Sequence, residues 1–277
     1  MPYSSDAYVN AALSYLRPPR EKPFNLMYDP PPGVQASNCE YQQVSSRIRN
    51  GRQVAASLSL QENGFTLLRE PSSLTDFLDA NEVAGRYYRE MEAIALALTD
   101  GRRAVCFDHA VRKREPGRPP LGFGRSGDGS KPAALGRVHN DYTEESGRRR
   151  LDLVFPEGAP DAPFLILNLW RPIHHPAIDT PLAVCDARSF PARDWVATDI
   201  IYQNRVGEIY LGMHSSGHQW YYFPEMQPDE VLAFVTYDSR FDQPARMTPH
   251  CAFDDPNTPA DAPLRQSIEA RCLVVLD

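Results

Sequence analysis

The second half of the chain is a succession of short β-rich runs set apart by turn signals, and few folds accommodate that pattern. Residues 164–171, 181–186, 208–214, 220–223, 231–237, 246–253 and 267–276 are strand-sized. Turns at Pro224, at Pro228-Asp229 and at Asp254-Asp255-Pro256-Asn257 separate several of them. Many short strands with turns between them specify a sandwich or barrel. The double-sheet jelly roll is one such architecture that hosts metal sites. The expected fold is therefore mainly β with flanking helices, around a double-stranded β-helix (jelly-roll, cupin-like) core. With 277 residues and no internal repeat or second-domain boundary, residues 1–277 read as one domain.

The first half is more varied. Residues 1–35 are rich in proline, end in Pro30-Pro31-Pro32-Gly33, and read as an arm laid across the body. Period-two alternation over residues 43–52 closes on Asn50-Gly51, a hairpin signal. Residues 64–68 form a short strand candidate. Ser73-Leu74-Thr75-Asp76 fits a helix-capping pattern. Phe77, Ala80, Ala84, Tyr87, Met91, Ile94 and Leu98 then recur every three or four residues before Gly101. A single stripe of that kind packs against a sheet.

A strand over 104–109 leads into a Gly/Pro-rich segment, 114–136, long enough to be a lid or binding loop. Within it, Gly122-Phe123-Gly124-Arg125-Ser126-Gly127 matches G-x-G-x-x-G. Prolines precede it and Gly129, Pro132 and Gly136 follow, so it lacks the strand-to-helix context that nucleotide binding requires.

Composition excludes several classes. A formal charge of −7 opposes nucleic-acid binding, which needs clustered Lys and Arg. No apolar run reaches the roughly 20 residues of a membrane helix, and no signal peptide is visible. The five cysteines, Cys39, Cys106, Cys185, Cys251 and Cys272, are scattered without a CxxC and read as reduced thiols of a cytoplasmic protein.

The chemistry-bearing residues lie around Arg137-Val138-His139-Asn140-Asp141-Tyr142-Thr143. On a strand, His139 and Asp141 share a face, so both side chains can reach one metal ion. A third ligand must come from elsewhere. His109 precedes the pair on another strand, His174-His175 lies in a Pro-flanked turn, and His214 and His218 bracket a hairpin tip. His250 opens a β-run and Arg265 follows fifteen residues later, which favours His250, with His214 as its rival. Two imidazoles and one carboxylate form the facial set of non-haem Fe(II), with open positions for other ligands. Arg265, with Ser267 two residues on, offers a fork for a carboxylate; a surface arginine is the plainer alternative. Arg271 reads as a structural ion-pair partner of Glu269 or of another carboxylate.

The order H-x-D…H…R-x-S resembles the Fe(II)/2-oxoglutarate-dependent oxygenases, and within them the group of gibberellin desaturase, the cephem methoxylation hydroxylase and related natural-product oxygenases. Val138-His139-Asn140-Asp141, Asn168-Leu169-Trp170-Arg171-Pro172, residues 181–188, Trp220-Tyr221-Tyr222-Phe223-Pro224 and residues 265–271 carry the resemblance, over roughly 135–277. It implies His139, Asp141 and His250 as iron ligands and Arg265 as the 2-oxoglutarate anchor, with O2 as the oxidant. It also implies a small-molecule substrate whose C–H bond is hydroxylated, desaturated or rearranged. Tyr142, Trp170 and Trp220 are candidate substrate contacts. A non-catalytic ligand-binding jelly roll, a homodimer, or a component working with a partner enzyme are the other forms such a chain takes. Alternation puts Ile166, Asn168 and Trp170 on one face of their strand and Leu165, Leu167, Leu169 and Arg171 on the other, leaving open which faces inward.

Overall fold

The computed structural model describes residues 6–121 and 133–277. Two β-sheets face each other. The smaller is antiparallel and runs β4 (Phe65–Arg69), β12 (Glu230–Asp238), β7 (Phe164–Pro172), β14 (Gln266–Val275) and β5 (Arg103–Lys113). Every residue of β7 and β12 is buried, so these strands read as continuous hydrophobic runs. Leu165, Leu167 and Leu169 face outward and pack with Ile268, Ala270 and Cys272 against one helix. That helix begins as α1 (Ala80–Glu82), passes through a π-turn at Val83–Tyr87, and continues as α2 (Tyr88–Thr99). Its buried stripe is Val83, Tyr87, Met91 and Ala95.

This settles the orientation of β7. Arg171 goes outward with the leucines and stacks over the Tyr87 ring at 5.3 Å. Ile166, Asn168 and Trp170 look into the space between the sheets.

The larger sheet runs β1 (Tyr8–Leu16), β3 (Tyr41–Asn50), β11 (Trp220–Tyr222), β8 (Leu182–Cys185), β13 (His250–Ala252), β6 (His139–Asn140), β10 (Val206–Gly212), β9 (Trp195–Ile201) and β2 (Phe24–Leu26). It curls until β1 bridges back to Arg137 through Ser14 and to Met213 through Leu16. The proline-rich start of the chain thus supplies two strands of the body instead of an arm lying over it. Alternation explains why: Val9, Ala11 and Leu13 are buried on one face of the sheet with Ile48, Trp220 and Tyr222, and Tyr8, Asn10 and Ala12 on the other face are exposed.

Several local expectations change. Asn50-Gly51 makes no hairpin. Asn50 has φ −72°, and its side chain accepts the Arg52 N–H to start a 3-10 turn over Gly51–Ser57, whereas the tight hairpin turn needs positive φ at that residue. The helix starts at its Asp79 cap, six residues beyond Ser73, whose hydroxyl and N–H instead bind the Glu90 carboxylate. The π-turn re-phases the stripe and leaves Ala84 exposed. Gly101 is needed for close approach, because a Cβ there would strike Val274; the left-handed C-cap is Asp100. Strand β9 and helix α3 (Glu144–Val154) are additions; α3 opens on a Thr143/Ser146 capping box. The five cysteines are unpaired. Among the described residues no helix is long and apolar enough to cross a membrane.

Candidate metal centre

Strand pairing brings the two histidines together. His139 of β6 and His250 of β13 are direct partners across an antiparallel bridge, with ring centroids 4.2 Å apart. Asp141 follows one residue beyond the end of β6. One potential ligand atom from each of the three lies within 4.8 Å of the others. Asp141 Oδ1 is 3.4 Å from His139 Nε2 and 3.9 Å from His250 Nε2. Both histidines are buried.

The tautomers follow from the backbone. His139 Nδ1 is 2.7 Å from the Arg137 carbonyl and His250 Nδ1 is 3.0 Å from the Thr248 carbonyl. A carbonyl only accepts, so each Nδ1 carries the proton and each Nε2 presents a lone pair to the common space. Burial, with His139 close by, pushes His250 from 6.5 down to about 3, which keeps it neutral. Burial alone would raise the Asp141 carboxyl. The Arg271 guanidinium beside it outweighs that and holds Asp141 well below the usual carboxylate range. Asp141 Oδ2 accepts from Arg271 Nε at 2.9 Å and from Asn168 Nδ2 at 3.0 Å.

A cationic recess adjoins on the inner face of the smaller sheet. Arg265, just ahead of β14, is buried; Nη1 donates to the Thr180 carbonyl at 2.8 Å and the guanidinium lies 5.7 Å from the centre of the Trp170 ring. Three buried polar atoms here have no partner: Arg265 Nε, Ser267 Oγ and Thr180 Oγ1. Native interiors rarely leave such atoms unpaired. Burial, and then the neighbouring Arg112 and Arg114 guanidiniums, pull Arg265 down to about 9. A buried arginine beside other cations, with orphaned donors around it, is a receptor for an anion. A carboxylate matches the arginine fork.

Residues 13–275 match the family described as oxidoreductase/YMDC permease-like domain. The chain is 31% identical over 246 residues to the alpha-ketoglutarate-dependent dioxygenase phiK of a fungal species, covering 82% of this chain and 83% of that one. It is 28% identical to the Fe(II)/2-oxoglutarate-dependent dioxygenase nvfI of Aspergillus novofumigatus, over 98% of both chains. Against a solved structure titled iron and alpha-ketoglutarate-dependent endoperoxidase NvfI, it superposes with a TM-score of 0.88 at 27% identity, covering 98% of each chain. The hydroxylase/desaturase efuI of Hormonema carpetanum is 28% identical over 96% of this chain and 94% of that one.

This chain belongs to the Fe(II)/2-oxoglutarate-dependent dioxygenases.

Within that family's chemistry the donor set here fits the metal and its co-substrate: two imidazole Nε2 atoms and one carboxylate oxygen suit Fe(II), and the orphaned Arg265–Ser267–Thr180 recess suits a carboxylate. Among the described residues the His139, Asp141 and His250 cluster is the one group of this kind. His214 does not join it, lying exposed, edge-on to Tyr15. His218 is structural: it hydrogen-bonds Tyr15 and Asp194 and stacks on Phe190. His109 pairs with the Tyr88 hydroxyl.

The three aromatic candidates separate. Tyr142, next to Asp141, is buried among Leu273, Ile166 and Tyr237. Trp170 lines the Arg265 recess. Trp220 turns away from the metal cluster: its indole N–H donates to the Tyr15 hydroxyl at 2.7 Å in the cluster that holds Val9 and Leu13. Its neighbour Tyr221 takes the inner face with Phe65, because adjacent strand residues point to opposite sides. Cys251 is buried on that same far side and has no place at the metal. The G-x-G-x-x-G stretch and residues 122–132 of the 114–136 segment lie outside the described residues. The described base of that segment is fastened beside the recess, by Arg114 to Asp254 at 2.9 Å and Arg118 to Asp179 at 3.1 Å.

Asn168 and the Asp141 contact of Arg271 were not visible in sequence. Arg271 does meet Glu269, at 2.5 Å. Its partner Asp141 is 130 residues away, and no local pattern signals that.

Proposed function

We propose that the chain is a single-domain oxygenase that oxidises a C–H bond of a small-molecule natural-product intermediate, with His139, Asp141 and His250 as the iron ligands. Arg265 and Ser267 anchor the far carboxylate of 2-oxoglutarate. When bound, iron with 2-oxoglutarate and O2 supplies the oxidising power, and the protein's part is placement. His139 and His250 present their Nε2 lone pairs because backbone carbonyls hold the Nδ1 protons. Arg265 fixes the co-substrate's remote end, and the apolar walls around Trp170 and Tyr142 keep water away. The observation that carries the reading is a His–Asp–His face and a buried arginine recess with three orphaned polar atoms, linked by strand β14, which carries both Ser267 and the Arg271 that holds Asp141. Relatives named as hydroxylase/desaturase and endoperoxidase support hydroxylation, desaturation or oxidative rearrangement as the outcome.

The test is conversion of 2-oxoglutarate to succinate in the presence of Fe(II) and O2. A slow substrate-free rate is expected, abolished by His139→Ala and accelerated by the true substrate in a panel of terpenoid and polyketide intermediates. A well-folded, iron-loaded protein that neither binds nor converts 2-oxoglutarate would overturn the proposal.

A further inference from the structure

The unused oxygen of Asp141 points to a role for two residues that touch neither iron nor substrate. We propose that Asn168 and Arg271 are positioning residues that make Asp141 a one-oxygen ligand and so preserve the open positions a chelating co-substrate needs. The inference rests on the reading that Asp141 binds the metal.

A carboxylate can bind a metal through one oxygen or both. Here both donors converge on Oδ2, Arg271 Nε at 2.9 Å and Asn168 Nδ2 at 3.0 Å. Oδ1 is left as the oxygen that faces the two Nε2 atoms. The two donors are direct cross-strand partners, Arg271 on β14 and Asn168 on β7, so the sheet presents them to Asp141 as a pair.

Neither donor is free to swing. Arg271 Nη1 donates to Asp108 at 3.1 Å and Nη2 to Glu269 at 2.5 Å, so its rigid fork engages three carboxylates at once. The Asn168 amide is oriented by Thr236, whose hydroxyl donates to Asn168 Oδ1 at 3.2 Å and leaves the NH2 group for Asp141. Rotation of Asp141 to offer both oxygens would break two charge-assisted hydrogen bonds. It would also fill one of the positions opposite the facial triad.

Strand β14 therefore carries both devices. Ser267, Glu269 and Arg271 alternate along one face of it, with Arg265 immediately ahead, so the co-substrate anchor and the Asp141 clamp are set by one register.

The experiment uses Co(II) alone as the probe, titrated into metal-free full-length protein without 2-oxoglutarate. Calorimetry gives the affinity, and the visible spectrum of Co(II) reports its coordination. Asn168→Ala, Arg271→Met and Arg271→Lys are compared with wild type, and Trp220→Phe serves as a control with a comparable buried defect on the far face. Loss of an outer hydrogen bond to a metal ligand costs about 10- to 100-fold in metal affinity. Asn168→Ala and Arg271→Met should each show a loss in that range with an altered Co(II) spectrum. Arg271→Lys should recover only part, and Trp220→Phe should match wild type. Folded Asn168→Ala and Arg271→Met proteins with wild-type affinity and spectrum would overturn the clamp while leaving the metal centre intact. Wild type that binds no Co(II) would instead overturn the metal centre, and the clamp with it.

Discussion

Replacing Gly64 by alanine tests how far the metal centre depends on the opposite sheet. Gly64 has φ +88°, a conformation that costs an L-residue about 1–2 kcal/mol. A Cβ at this position would run into the Thr248 hydroxyl. That hydroxyl donates to the Gly64 carbonyl at 2.9 Å, and the Thr248 carbonyl is the acceptor that fixes His250 Nδ1. Losing the buried Thr248–Gly64 hydrogen bond adds about 1 kcal/mol. The total is roughly 2–3 kcal/mol, a fall in Tm of about 3–5 °C for a domain of this size.

A purely structural glycine would show that loss alone. Here Thr248 and the His250 ring it orients must move too, so Co(II) affinity should also drop by about 10-fold. The double variant Gly64→Ala/Thr248→Ala removes the collision but keeps the backbone strain, so it should regain part of the stability. Thermal melts of the apo protein and Co(II) titrations supply both readouts. A Gly64→Ala protein with Tm within a degree of wild type and unchanged metal affinity would refute the chain of contacts from Gly64 to His250.

Three further outcomes are expected. Arg265→Ala should weaken 2-oxoglutarate binding by about 10- to 100-fold, the worth of a lost charge-assisted hydrogen bond, while Co(II) affinity stays at wild type; calorimetry separates the two. Trp220→Phe should lower stability by about 1 kcal/mol through the lost Tyr15 hydrogen bond and leave 2-oxoglutarate binding unchanged, as denaturant melts and calorimetry would record. For pH, His250 titrates at about 3 in the folded chain against 6.5 ordinarily. The unfolded state therefore takes up the proton first, and the apo protein should lose stability progressively as pH falls below about 6.5 towards 3. Denaturant melts of His250→Gln should show a shallower decline over that window.

What could be read from sequence divides along physical lines. Strands β7 and β12 were legible because full burial writes near-continuous apolar runs. Strand β1 was missed because its alternating residues lie in a proline-rich context that suggests an extended arm. Helix α3 was missed because Arg148, Arg149 and Arg150 dilute its apolar stripe. His139 and Asp141 were visible because a spacing of two is a local property of strands. The choice of His250 over His214 rested on its β-run and its spacing to Arg265, with which the resemblance agreed, and the structure brings His250, and not His214, to the cluster. Trp220 was read as a substrate contact, but it and Tyr221 face opposite sides of the sheet, and which side is inner depends on the curl of the larger sheet. The Asn168–Asp141–Arg271 contacts join three strand segments distant in the chain, and only the folded register assembles them.

In the proposed enzyme, His139, Asp141 and His250 hold Fe(II) beside an arginine that holds 2-oxoglutarate. Anaerobic addition of Fe(II) and 2-oxoglutarate to metal-free protein tests it without any substrate, by the weak visible charge-transfer band of chelated 2-oxoglutarate. The band should form with wild type and His214→Ala, vanish with His139→Ala and His250→Ala, and require far higher 2-oxoglutarate with Arg265→Ala. No band in folded wild-type protein, or a band that survives loss of either His139 or His250, would rule out this metal centre.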